Sequence, residues 1–116
     1  MDACALDMLL RDFIAEVLRV LERRRHEPDL KPSLDAVCMA ASARIRNEIP
    51  PDDFERLQIH VLLALQINGR CDHGVRLGFF WLAGEAVEHD FDSAEVARAA
   101  ARLRDALMGR APHGRE

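Results

Sequence analysis

Residues 52–69 read DDFERLQIHVLLALQING. Asp52 followed by Glu55 makes a DxxE start, in which side chain and backbone cap each other at the head of a helix. Asp52, Asp53 and Glu55 also suit the positive end of a helix dipole. From Ile59 to Ile67 the segment is apolar almost all round. A helix greasy on every side takes a central place, with neighbours on several faces. Asn68-Gly69 then stops it in a left-handed cap. The stretch predicts a third helix at the centre of the fold.

Working outward, no segment alternates with period two, so no strand is expected. Upstream, Pro50-Pro51 closes a second helix over residues 33–48, because the residue before a proline avoids helical dihedrals. Ser33 is its expected N-cap, and Leu34, Val37, Cys38, Ala41 and Ile45 form its apolar face. A first helix spans residues 3–26. Leu6, Leu10, Phe13, Val17 and Leu21 form its stripe, and Arg23, Arg24 and Arg25 end it where cations suit the dipole. Pro28 and Pro32 bracket a linker.

Downstream, a fourth helix covers residues 72–89, with Val75, Phe79, Leu82, Ala83 and Ala86 inward. A fifth covers 92–108, started by Asp92 and Glu95 and stopped by Gly109. Its core face is Val96, Ala100, Leu103 and Leu107, and alanines at 97, 99, 100 and 101 allow close packing. Residues 110–116 read as a frayed tail. Short connections favour antiparallel neighbours. The expected fold is all-α: one compact domain over residues 1–109, of about five antiparallel helices around the third. Phe13, Val17, Val61, Leu62, Leu65, Phe79 and Leu103 are its expected core.

Composition agrees. The 116 residues suffice for one core. Apolar residues at 49% and charged ones at 31% mark a globular chain. A formal charge of -4 disfavours general nucleic-acid binding. The run from Ile59 to Ile67 holds His60 and Gln66 and is too short to span a bilayer. The N-terminus carries acidic residues where a leader needs basic ones. The expected place is the cytoplasm, with no membrane and no nucleic acid as partner.

Few residues offer chemistry. Cys4, Cys38 and Cys71 are an odd count without CxxC spacing, which argues for buried small hydrophobes in a reducing compartment. Lys31 is the only lysine beside fifteen arginines, a bias that codon usage explains. Cys71-x-His73 cannot close a tetrahedral metal site. Glu85, Glu88 and His89 lie together, but Glu85 to His89 is one residue longer than the ExxH of di-iron bundles. No metal and no cofactor are expected. Ser33 and Ser93 look like caps, so no nucleophile is evident. His60 either bonds a neighbour, points to water, or acts as a ligand or pH switch. The acidic cluster Glu85, Glu88, Asp90 and Asp92 is either solvated or meets a basic partner.

Two resemblances bear on function. Arg19 and His26, spaced Arg-x6-His, resemble the active motif of the HEPN helical RNases, although Val20 stands where those have a polar residue. Residues 57–76, LQIHVLLALQINGRCDHGVR, resemble the first helix and turn of a tetratricopeptide unit. Val61, Leu65, Gly69, Cys71 and Gly74 fall at its apolar, turn and small positions, whereas Gly78 and Trp81 depart from the pattern. Short chains with such degenerate units look like the bacterial cytoplasmic chaperones that hold a type III secretion needle subunit. That resemblance implies a protein binding a partner's helix in an apolar groove.

Phe79-Phe80-Trp81 spans about 200° of a helix, so these rings cannot all enter one core. Trp81 shares its face with Gly74, Leu77, Gly78, Gly84 and Glu85. Glycines there imply close approach of another backbone, from the same chain or from another. The expected function is therefore a non-catalytic protein-binding module, a helical chaperone or adaptor, with Gly74, Leu77, Gly78, Trp81, Glu85 and Glu88 facing another protein or a second copy in a dimer. An acidic inhibitor or immunity-type protein and a HEPN-like RNase are the alternatives.

Overall fold

Proline placement fixes where two of the helices begin. In the computed structural model, which describes residues 3–109, five helices follow in order: α1 Ala3–Leu21, α2 Lys31–Glu48, α3 Pro51–Leu65, α4 Gly74–Glu88 and α5 Ser93–Leu107. Single 3-10 turns at Glu22–Arg25 and Cys71–His73 lead out of α1 and into α4. No strand occurs among the described residues. The fold is all-α, as periodicity implies. The tail assigned to residues 110–116 lies outside the described residues.

Several helix ends differ from the local signals. Pro51 opens α3 behind an extended Pro50, so Asp52 falls inside the first turn and no side-chain cap forms there. A proline in the first turn lacks only an N–H that has no helical acceptor anyway. In α2, Pro32 likewise sits in the first turn, which places Ser33 inside the helix instead of at its cap. At the far end of α3, Gln66 takes the left-handed conformation expected of Asn68-Gly69 (φ 53°). The N–H groups of Gln66 and Ile67 both close onto the Leu62 carbonyl. A Cβ on Gly69 would have to displace Leu77 Cδ1, the far end of a flexible side chain. Only the start of α5 follows its signal closely: Asp92 and Glu95 exchange backbone-to-side-chain bonds of 2.9 Å each.

The centre belongs to α4 and not to α3. Helix α4 packs against α2, α3 and α5, and its Phe79 ring meets Phe13 of α1 edge-on at 4.7 Å. Helix α3 buries one face, through Phe54, Leu57, Gln58, Val61 and Leu65. Its opposite side carries Ile59 at 38% exposure and Leu63 at 73%, so its all-round greasiness does not reflect neighbours on every side. Leu62 is half-buried; the other six expected core residues are buried.

Two glycines let α4 take that place. A Cβ on Gly74 would overlap the Gln58 carbonyl, lying 2.8 Å from its carbon. A Cβ on Gly78 would lie 2.8 Å from both Val61 Cγ1 and Leu103 Cδ1. No side chain caps α4 by the usual route. Instead Gln58, only 5% exposed, accepts the Val75 N–H on Oε1 at 2.8 Å. One of the orphan donors at the head of α4 is thus satisfied across the helix interface.

Gly74→Ala is expected to cost about 1–3 kcal/mol, because backbone and not a flexible side chain must yield. Gln58→Leu should cost about 1–3 kcal/mol by leaving a buried N–H unpaired. Urea unfolding with an unchanged slope reads both; a Gly74→Ala midpoint equal to wild type would show the contact to be slack.

Candidate functional site

The six residues expected to face a partner divide into three groups. Gly74 and Gly78 are buried inside the chain, against α3 and α5. They face the protein's own interior: the Gln58 backbone at Gly74, and the side chains of Val61 and Leu103 at Gly78. Leu77 is half-buried over Gly69 at the α3–α4 turn. Trp81, Glu85 and Glu88 remain on the outer edge of α4.

That edge separates two hollows. The first, about 450 Å³, lies between α4 and α5 and is lined by Trp81, Glu85, Phe91, Arg98 and Arg102. Trp81 is half-buried, packs against the core, and carries the Arg102 guanidinium 5.0 Å above its ring. The second hollow, about 530 Å³, runs between α4 and the start of α2. Its apolar lining is Leu30, Leu34, Phe80, Ala83, Gly84 and Val87, with Arg24, Lys31 and Glu88 at the rim. Phe80, Gly84 and Val87 recur at i, i+4 and i+7, so this groove follows the α4 axis for about 10 Å. Sequence reasoning missed it. The apolar signal was present in α4, but only tertiary packing puts Leu30 and Leu34 across from it.

Gly84 differs from the other helical glycines. A Cβ there would meet nothing within 4 Å. A glycine inside a helix costs about 1 kcal/mol relative to alanine. At Gly74 and Gly78 internal packing requires it; at Gly84 nothing among the described residues does. Val87, one turn on, is 44% exposed.

The charges around the α2–α4 groove are mostly paired. Arg24 meets Asp90, which holds the left-handed position after α4, and its Nε donates to the Leu21 carbonyl. Lys31 Nζ lies 2.9 Å from Asp35, and that hydrogen bond holds the ammonium above its usual range. Of the expected acidic cluster, Asp90 is paired and Asp92 caps α5. Glu85 faces only His89, at 3.8 Å, and Glu88 forms no ion pair with arginine or lysine among the described residues.

Groups able to do chemistry are sparse. One ligand atom each from Glu85, Glu88 and His89 lies within 4.8 Å of the others. All three come from one surface turn, and no second helix contributes. Arg19 pairs with Glu16, and the 3-10 turn at Glu22–Arg25 intervenes before His26. A 3-10 turn advances about 120° per residue, so Arg19 and His26 lose the shared face that a continuous helix would give them. His60 Nδ1 is buried with no hydrogen-bond partner among the described residues, beside Gly109 at the end of α5. Of the cysteines expected to be buried, only Cys38 is; Cys4 and Cys71 are exposed. Burial, and then the charge of Asp35, push the Cys38 thiol up to about 12.

Comparison with protein-family models, curated proteins and solved structures finds no match for this chain. No helix among the described residues is long and apolar enough to cross a membrane.

Three outcomes are expected. Gly84→Ala should stabilise the free protein by about 0.4–1 kcal/mol, read as a higher melting temperature; a lower one would reveal an internal contact. Of the three thiols, Cys38 alone should resist a thiol reagent until unfolding. Because its folded pKa is raised, the folded state retains the proton that the unfolded chain loses. Stability should therefore fall as pH rises from about 9 towards 12.

Proposed function

We propose that this chain is a non-catalytic protein–protein interaction module, a small helical chaperone or adaptor of the cytoplasm, which holds a partner helix in the groove between α2 and α4. The observation that carries this reading is Gly84. A helical glycine with empty space where its Cβ would stand lowers the stability of the free protein, and it opens the groove floor to close backbone approach. The groove's shape supports a helix as occupant. It follows the α4 axis for about two turns, the length over which a helix presents residues at i, i+3 or i+4 and i+7. Its apolar lining, with charges kept to the rim, is the composition of a recognition groove. The resemblance of residues 57–76 to a tetratricopeptide turn implies the same kind of activity, with a different surface of the hairpin in view.

Gly84→Leu projects into the groove from a position where a Cβ meets nothing within 4 Å, and Gly84→Ala leaves most of the groove open. Affinity capture from the native cell with wild type and both variants, each melting normally, tests the reading. A protein retained by wild type and Gly84→Ala and lost with Gly84→Leu is the expected result. Identical retention by all three would overturn it.

A further inference from the structure

We infer that the occupant of the α2–α4 groove is a basic amphipathic helix of another protein, with lysine or arginine flanking its apolar stripe where it crosses the last turn of α4. The inference rests on the groove reading above and adds the partner's charge. Sorting the rim charges leads to it. Arg24 is taken by Asp90, Lys31 by Asp35, and Glu27 by Arg23 at 3.2 Å. Asp29 accepts the Lys31 backbone N–H at 3.0 Å. Glu88, on the rim, is left without an arginine or lysine among the described residues, as is Glu85, which lines the α4–α5 hollow but brings a carboxylate oxygen within 4.8 Å of that of Glu88.

Their position makes the deficit larger. Both lie in the second half of α4, whose last turn has no basic residue. The helix dipole there is negative and disfavours carboxylates. An apolar helix seated over Gly84 would pass within reach of Glu85 and Glu88, so cations beside its stripe complement both carboxylates and the dipole. A second copy of this chain is a poorer occupant, because each copy carries a formal charge of -4.

The test uses the full chain, 15N-labelled, and three synthetic helical peptides of about four turns. All share one leucine stripe at i, i+4, i+7 and i+11; the flanking positions are lysine, glutamine or glutamate. The lysine peptide should bind about tenfold or more tighter than the glutamate peptide at low salt, with shifts centred on Phe80, Gly84 and Val87. High salt should erode that advantage, and Glu85→Gln with Glu88→Gln should reduce it to about threefold or less. Gly84→Leu should abolish binding. Equal binding of all three peptides in the groove would overturn the charge inference and leave the groove reading standing. Lysine-peptide binding that survives Gly84→Leu, or no binding by any peptide, would overturn both. Self-association over a dilution series that competes with the lysine peptide would make a second copy the occupant and overturn the inference.

Discussion

The close approach of Gly74 to the backbone of Gln58 is the constraint on which this fold turns. It brings α4 so near α3 that no side chain fits between them. It also brings the Gln58 amide oxygen onto the Val75 N–H, at the head of a helix with no cap of its own. The two effects depend on each other. Without the glycine the amide could not reach, and without the amide a buried donor would stay unpaired. Once α4 is seated there, Phe79 reaches Phe13 of α1 and Cys38 Sγ lies 3.5 Å from the Phe79 carbonyl. Three helices are thereby referred to one.

Three glycines in α4 then divide the protein's needs. Gly74 and Gly78 give close internal packing, so their cost in helix propensity is offset by burial of Val61, Val75 and Leu103. Gly84 gives no internal packing. The inner stripe of α4 and its open edge are thus set by the same residue type used for opposite purposes, one to admit the chain's own backbone and one to leave a hollow.

Ion pairs fasten the outer helices to one another at the surface. Asp12 and Asp7 of α1 pair with Arg44 of α2, at 2.8 Å, and with Arg104 of α5. These hydrogen bonds hold both guanidiniums above their usual range. The pairs are exposed and screened, so they orient α1 more than they stabilise it. Arg24 and Asp90 pin the turn after α1 to the end of α4, and that turn closes one end of the groove.

By itself the sequence determined the helix count, the absence of strands and the inward faces of α1, α4 and α5, because a 3.6-residue period in apolar residues is a local property. The Asp92–Glu95 start and the Gly109 stop were legible for the same reason: each cap closes within one turn. Tertiary structure decided what depends on partners far along the chain. The Asp52–Glu55 signal lost to Pro51, whose fixed φ starts the helix two residues sooner. The greasy circumference of α3 implied a central helix, yet the centre went to α4, since only glycines at 74 and 78 allow two neighbours to approach that closely. Of the three glycines around Trp81 expected to admit another backbone, only Gly74 meets one; Gly78 meets side chains and Gly84 meets nothing within 4 Å. What stands opposite each one was not legible, because identical residues at 74, 78 and 84 differ only in what the folded chain places there.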